Sequence, residues 1–486
     1  MLVLGIDVGT QGARVLACNR TGQIVASADE AFDKSFATGL PDRWAEQDPQ
    51  MWWQAVQAAL LHLMNELQRQ DVAATAIEAL SITSTSGTVV AVDGNGRPMR
   101  PALMYNDSRA QQEAQQVQQA GQQLAATLGY RFNPSFALSK ILWLQLNEPA
   151  LFDAAHRFIH ATDYVVGCLS GEYGISDFSN SLKTGYDLHH NRWPDFIERD
   201  LGIPMVKLPQ VVPPSTPITT VSPEAADATG LPAGIPILTG MTDGCASQIS
   251  TGAVAPGDWC STLGTTLVIK GVTRELLLDP HGRIYSHKHQ DGYWLPGGAS
   301  NTGGEALAQR FPREHWSTYN NQALSLSPTN LIVYPLARHG ERFPFACPTA
   351  QGFSLGQTES PVIDYTAHME GVAYLERLAY DMLSELGAEV GDTIFSAGGA
   401  TASRAWSQIR SDVLGRALVR PVTTGGATGA AILAAAGIWY DGIIPASRAM
   451  VHIADTVLPR QETAAAFDER YGNFRHECNR RGYINT

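Results

Sequence analysis

Two stretches of this chain share one pattern, and that repetition restricts the fold more than any other feature. Near the start, Leu4-Gly5-Ile6-Asp7-Val8-Gly9-Thr10-Gln11-Gly12-Ala13-Arg14 runs from an apolar strand through a small-residue turn into a second apolar run, Val15-Leu16-Ala17. About 255 residues later, Asp258-Trp259-Cys260-Ser261-Thr262-Leu263-Gly264-Thr265-Thr266-Leu267-Val268-Ile269 repeats the order strand, Gly-Thr turn, strand. At 486 residues the chain also exceeds what one core usually supports, so two related domains are expected, residues 1–249 and 250–486. Glycines in such a turn let successive backbone N–H groups converge on an anion, with the Thr10 hydroxyl and the Gln11 amide as further donors. Aligning the Gly-Thr pairs sets Thr262 opposite Asp7, so only the first copy keeps a carboxylate. Beside phosphate, that carboxylate points to a divalent cation such as Mg²⁺. An ordinary glycine hairpin whose Asp caps the turn has the same residues.

Charge narrows the partners. Lys and Arg number 34 against 47 Asp and Glu, a net −13, which argues against nucleic acid or an anionic membrane surface and requires any phosphorylated ligand to find a local site. Six scattered cysteines without a C-x-x-C pair fit a reduced, cytoplasmic protein better than a disulfide framework or a zinc site. The sequence shows neither a basic leader nor an apolar run near the ~20 residues of a membrane span. A small-molecule ligand is the expected partner, and a homodimer is left open.

A third strand, Ile24-Val25-Ala26-Ser27, precedes any helix, which separates the chain from a Rossmann fold, where a helix follows the glycine turn directly. Asp48 caps a helix with Pro49 at its first position and Trp52, Val56, Leu60, Leu63 and Leu67 on one apolar stripe. Another strand, Ile77–Ile82, runs into Thr83-Ser84-Thr85-Ser86-Gly87-Thr88, and a hairpin then leads to Tyr105-Asn106-Asp107. Thr85, Ser86, Asn106 and Asp107 suit a polyol pocket, and equally a Ser/Thr-rich turn with an Asx cap. Pro236–Gly240 delivers Asp243 to the head of a small-residue helix. His189-His190, His287 and His289 lack a clear set of carboxylate or thiolate partners and read as ordinary histidines. Later, Gly297–Gly304 is a small-residue turn ahead of a helix, and Met369, Val372, Leu375, Ala379, Met382 and Leu386 mark a long core helix ending at Gly387. The strand Thr393–Ala397 then meets the turn Gly398-Gly399-Ala400, with Ser403 capping the next helix.

With these pieces in order, the chain resembles the FGGY carbohydrate kinases over nearly its whole length. Gly5-Ile6-Asp7-Val8-Gly9-Thr10 is similar to the family's first phosphate motif and Trp44-Ala45-Glu46-Gln47-Asp48-Pro49 to its Trp-x-Glu-Gln-Asp-Pro segment. Leu263-Gly264-Thr265-Thr266 is similar to the second phosphate motif and Ala397-Gly398-Gly399-Ala400 to the adenosine motif. The resemblance implies an α/β fold of two ribonuclease H-like domains, of the actin, Hsp70 and sugar kinase superfamily, each a five-stranded sheet flanked by helices around an interdomain cleft. It implies Asp243 as general base and a substrate contact. Thr10, Gln11, Gly264, Thr265 and Thr266 would bind the phosphates of ATP, and Asp7 would orient Mg²⁺ and touch substrate. Gly303 and Gly304 join the nucleotide side, and Gly398, Gly399, Ala400 and Ser403 would border the nucleoside.

The usual bacterial xylulokinase has Gln-Met-His where this chain has Thr83–Thr88. In Thr85-Ser86-Gly87-Thr88-Val89, Tyr105-Asn106-Asp107, the segment from Ser176 to Asp187, and Gly298–Gly304, the chain is similar to the plant and cyanobacterial D-ribulokinases. That likeness implies D-ribulose phosphorylated at O5, with xylulokinase or another ketose or polyol kinase as the alternative. A nucleotide-dependent sensor of the same fold, without sugar chemistry, is the competing class.

Overall fold

In a computed structural model of the chain, residues 1–33 and 37–484 are described. They divide into two units, the first formed by Met1–Ser250, His287–Tyr293 and Thr423–Val451, the second by Thr251–Ser286, Trp294–Val422 and the chain from His452 onward.

The first unit is built on a six-stranded sheet of Leu2–Val8 (β1), Gly12–Cys18 (β2), Ile24–Ala31 (β3), Ile77–Ser84 (β4), Pro217–Thr220 (β5) and Pro236–Leu238 (β6), in the order β5-β6-β4-β1-β2-β3. β1 is central and buried except at Asp7, which explains its nearly unbroken apolar run. It pairs antiparallel with β2, Asp7 opposite Arg14, and parallel with β4, Asp7 opposite Thr83. β6 is also parallel to β4. The chain therefore leaves β1, β4 and β6 at the same edge, where ligands bind in open α/β sheets. Asp7, the Thr83–Thr88 segment and the approach to Asp243 all lie at those strand ends. The helix Pro49–Arg69 covers this sheet as its pattern predicts: Asp48 accepts from Gln50 N, and Trp52, Val56, Leu60, Leu63 and Leu67 are buried.

The second unit holds a seven-stranded sheet in which Trp259–Leu263 (β7), Leu267–Gly271 (β8), Trp294–Ala299 (β9), Thr393–Ala397 (β10), Ala417–Pro421 (β11) and Ile453–Val457 (β12) lie in the order β9-β8-β7-β10-β11-β12. β7 and β8 are antiparallel, as are β8 and β9, whereas β7, β10 and β11 are mutually parallel neighbours. Strand order and directions match those of β3-β2-β1-β4-β6-β5, so the repeated Gly-Thr turn marks a repeated architecture. Each sheet exceeds the expected five strands: an antiparallel strand, β5 or β12, extends it at one edge, and Tyr285–Lys288 extends the second sheet at its other edge beside β9.

Two segments placed by sequence in the second domain lie in the first unit. The helix Gly426–Ile438 is almost wholly Gly, Ala, Ile and Leu, and it packs on β1 and β4. A Cβ on Gly5 would stand 1.9 Å from the Ala427 carbonyl oxygen, so a bare backbone on β1 lets the helix in. His287–Tyr293 is tied to the same unit through Lys288, whose ammonium donates to Leu188 O (2.6 Å) and Asn191 Oδ1 (3.1 Å). No described helix is long and apolar enough to cross a membrane.

The core of the second unit contains one costly pair. Arg410 and Glu376 are both fully buried and joined in bidentate fashion at 2.7 and 2.8 Å, while Arg410 Nη1 donates to Ser396 Oγ on β10 at 2.7 Å. Removing one partner strands the other charge out of water, a penalty of about 3–5 kcal/mol, against about 0–1 kcal/mol for an exposed pair such as Arg14–Asp29. Arg410→Ala is therefore expected to lower unfolding stability severely and Arg14→Ala hardly at all, as read by denaturant titration; equal effects would show that Glu376 is reached by water.

Candidate active site

In the first unit the turn after β1 closes with Gly9 N donating to Gly12 O at 2.9 Å. It is fixed from behind by the Trp44–Pro49 segment: Gln47 Nε2 donates to Thr10 O (2.9 Å), and Gln47 Oε1 accepts from Trp52 Nε1 (2.9 Å). A cavity of about 710 Å³ opens here, lined among others by Asp7, Thr10, Gln11, Arg14 and Asn106. Asp29 and Glu30 add two carboxylates to its wall, and the Arg14 guanidinium is paired with Asp29. Asp243 begins the helix Asp243–Ser250, its Oδ1 accepting from Gly244 N at 2.6 Å. Burial, and then the negative charge of Asp243, push the Asp7 carboxyl up to about 7 despite the opposing pull of Arg14. A Cβ on Gly426 would lie 2.5 Å from Asp7 Oδ2, so the start of the helix Gly426–Ile438 presses on this carboxylate.

The hydroxyl-rich segment divides in its roles. Thr85 Oγ1 is paired with Thr88 Oγ1 at 3.0 Å, whereas Ser86 Oγ is buried with no hydrogen-bond partner among the described residues. Lys140 supports the segment from beneath: fully buried, it donates to the carbonyls of Gly87 (2.9 Å), Met104 (2.6 Å) and Ser135 (3.2 Å). Asn106 and Asp107, expected to act together, are separated. Asn106 is exposed on the cavity wall, but Asp107 is wholly buried and accepts from Ala45 N and from the Arg109 backbone and guanidinium. Its carboxylate is spent on holding the Trp44–Glu46 stretch, with Arg109 stacked 3.6 Å from the Trp44 ring centroid, so it is withdrawn from the substrate set.

The second unit carries a separate cavity of about 520 Å³ at the ends of β7 and β10. Gly264, Thr265, Gly304, Gly399, Ala400 and Ser403 line it. Thr266, Gly303 and Gly398 do not line it and act as support. The Gly264–Thr266 turn is clamped by Leu267 N to Thr302 O (2.8 Å), Gly304 N to Gly264 O (2.9 Å) and Glu305 N to Thr265 O (3.1 Å). Behind the clamp, buried Glu341 accepts from Ser300 Oγ, Asn301 N, Thr302 Oγ1 and Tyr334 OH at 2.6–3.0 Å. Sequence reading passed over Glu341, and over Arg313, Trp316, Asn320 and Tyr365, which also line the wall. Ser403 Oγ caps its helix through Trp406 N and also donates to Asn320 Oδ1 at 2.8 Å. The signal for this wall was the Trp-x₃-Asn spacing on the helix Trp316–Leu326, which places both residues on one face. Aromatic rings beside a glycine turn make a surface for a flat base.

A divalent cation fits Asp7. Its Oδ1 is buried with no hydrogen-bond partner among the described residues, and Asp243 adds a second negative charge. One or two carboxylates are what Mg²⁺ takes from a protein, its other positions going to phosphate oxygens and water. Asp7 would hold the ion, and the ion would neutralise phosphate charge. Because the folded-state pKa of Asp7 is raised, the native state binds more protons than the unfolded one between about pH 4 and 7, and this group's contribution to stability falls as pH rises through that window. Without divalent cation, Asp7→Asn is expected to be more stable than the unaltered protein at about pH 8 and no more stable at about pH 4, by denaturant unfolding. A pH-independent difference would place Asp7 in open solvent.

Comparison with known proteins agrees with this geometry. The N-terminal domain of the FGGY family of carbohydrate kinases matches residues 2–250 and its C-terminal domain residues 260–438. The chain is 28% identical to a xylulose kinase of Escherichia coli, over 89% of each chain, and 27% identical to a gluconokinase of Bacillus subtilis, over 86% of this chain and 84% of that one. The crystal structure of a xylulose kinase from Rhodospirillum rubrum superposes with a TM-score of 0.87 at 26% identity, over 99% of this chain and 98% of the other. These relatives are named for xylulose and gluconate, and the D-ribulokinase likeness is carried by the motifs alone. The chain belongs to the FGGY family of carbohydrate kinases and is an ATP-dependent sugar kinase.

Proposed function

We propose that this kinase phosphorylates a neutral ketopentose, with Asp243 as general base and Asp7 as the metal-side carboxylate. Asp243 would take the proton from a sugar hydroxyl as that oxygen attacks the γ-phosphorus, ADP leaving with the bridging electrons. Mg²⁺ at Asp7 would offset the charge of the phosphates. In the first unit Thr10 and Gln11 offer donors for an anion; within the second unit the Thr265 hydroxyl offers a donor for phosphate, and the wall of Trp316, Tyr365 and Ala400 offers a face for the base.

The observation that carries the reading is that Asp7 and Asp243 follow two parallel strands, β1 and β6, that flank β4, close enough for the charge of Asp243 to add to burial in raising the Asp7 carboxyl. The same electrostatics favours a neutral sugar over a sugar acid. Asp7, Asp29 and Glu30 line the first-unit cavity, and among the described residues its one lining cation, Arg14, already faces Asp29. A gluconate carboxylate would enter a negative wall.

Between ketopentoses, the names of the relatives favour D-xylulose. D-ribulose is the second reading, and it rests on Ser86. A buried hydroxyl without a partner can discriminate epimers at C3, because the wrong epimer leaves polar groups unpaired.

Asp243→Asn is expected to reduce sugar-dependent ADP formation by about 10²–10⁴-fold while ATP still binds; near-normal turnover would remove Asp243 from the chemistry. In competition at fixed ATP, D-xylulose and D-ribulose should both outrun gluconate, and Ser86→Ala should narrow the ratio between the two pentoses. A preference for gluconate would overturn the neutral-sugar reading and leave the kinase intact.

A further inference from the structure

The motif from Ser176 to Asp187 touches no cavity wall described above, yet it is among the most thoroughly buried polar stretches of the chain. Ser176, Asp177, Ser179, Asn180, Ser181 and Thr184 are all at most 2% exposed. An apolar core would be as stable or more so, since buried polar groups must recover the hydrogen bonds they lose. What a polar core adds is direction, and here the direction leads to one peptide.

Asp177 Oδ1 accepts from the Ser179 hydroxyl at 2.6 Å and from Ser179 N at 2.7 Å, while Asp177 Oδ2 accepts from Asn180 Nδ2. With its proton committed to Asp177, the Ser179 hydroxyl has only lone pairs left, and it accepts from Thr242 N at 2.8 Å. At the other end of the same peptide group, Thr83 Oγ1 donates to Met241 O at 2.6 Å. Ser84, bridged to Thr242 in the sheet, is held in turn by Thr162 Oγ1 at 2.6 Å, and Thr162 meets Asn180 Nδ2. The two backbone groups just before Asp243 are thus gripped by side-chain hydroxyls of opposite polarity from two segments distant in sequence. The chain between β6 and the helix Asp243–Ser250 has no other regular structure over residues 239–241 to set its path.

We propose that Asp177, Ser179 and Thr83 are positioning residues for Asp243: they fix the backbone from which the base projects and make no contact with substrate themselves. The inference rests on Asp243 being the general base. Geometry matters here because a displacement of about 1 Å at a reacting group can cost about 10²-fold in rate.

The test compares Ser179→Ala with Ser181→Ala, an equally buried serine of the same short helix whose hydroxyl has no partner among the described residues. With ATP and whichever of D-xylulose and D-ribulose is turned over faster, Ser179→Ala should lower kcat at least about 10-fold with KM for ATP unchanged, and Ser181→Ala should leave kcat within about 2-fold. Thr83→Val, which keeps the shape and removes the hydroxyl, should repeat the kcat loss. Placed in Asp243→Asn, Ser179→Ala should add nothing further, because both act on one group. Amide exchange of the peptide containing Thr242 needs no substrate and should accelerate in Ser179→Ala alone of the two serine variants. A folded Ser179→Ala with normal kcat, or a kcat loss that persists in full in the Asp243→Asn background, overturns the proposal. If Ser179→Ala does not fold, a normal kcat for Thr83→Val overturns it as well. Retained activity in Asp243→Asn is a different failure, that of the general-base reading.

Discussion

In the first unit Asp7 is held where water is scarce, and the negative charge of Asp243 adds to what burial does to its carboxyl. That arrangement is uphill for a folded protein, since a buried acid near another acid resists ionisation and weakens the native state at neutral pH. Much of the surrounding structure can be understood as what keeps it in place. β1, β4 and β6 run parallel and end at one edge, so residues far apart in sequence meet there. Gly426 and the helix behind it press on Asp7 from one side, and the Gln47 amide secures the turn beyond it. A cation and a phosphorylated substrate would relieve the repulsion, which ties the strain to the chemistry.

The two units solve a related problem with different chemistry. Both use the same order of strands and the same Gly-Thr turn, but only the first keeps a carboxylate at the position equivalent to Thr262. The first cavity is acidic and suits a polyol; the second has rings, an amide and an arginine beside its glycines and suits a nucleotide.

The sequence was most legible where local chemistry decides structure. Asp48 as a cap, Pro49 behind it and the Trp52–Leu67 stripe name their helix without help from the rest of the chain, and Ser403 caps as its position suggests. Each Gly-Thr turn alone is a common pattern, and it was their order along the chain with the other motifs that marked the family. Asp107 misled because a carboxylate next to an exposed Asn suggests a shared role, while only tertiary packing shows Arg109 and Ala45 claiming it. The return of Gly426–Ile438 to the first unit was illegible for a similar reason: an all-small helix has no polar face to announce its partner, and the bare backbone of Gly5 that admits it lies more than four hundred residues away. Glu341 had no motif to mark it, and the Trp316–Asn320 spacing shows a shared helix face without showing what that face meets, so the wall became visible only once the cavity was formed.

The fold also serves proteins that use ATP without modifying a sugar, so the central claim is that the phosphoryl group reaches a sugar oxygen rather than water. Phosphorus NMR of the protein with Mg²⁺, ATP and a mixture of D-xylulose and D-ribulose tests it directly. The account predicts that loss of the γ-phosphate signal is matched by growth of a sugar phosphomonoester. Growth of inorganic phosphate alone, at a rate indifferent to the sugars, would contradict it.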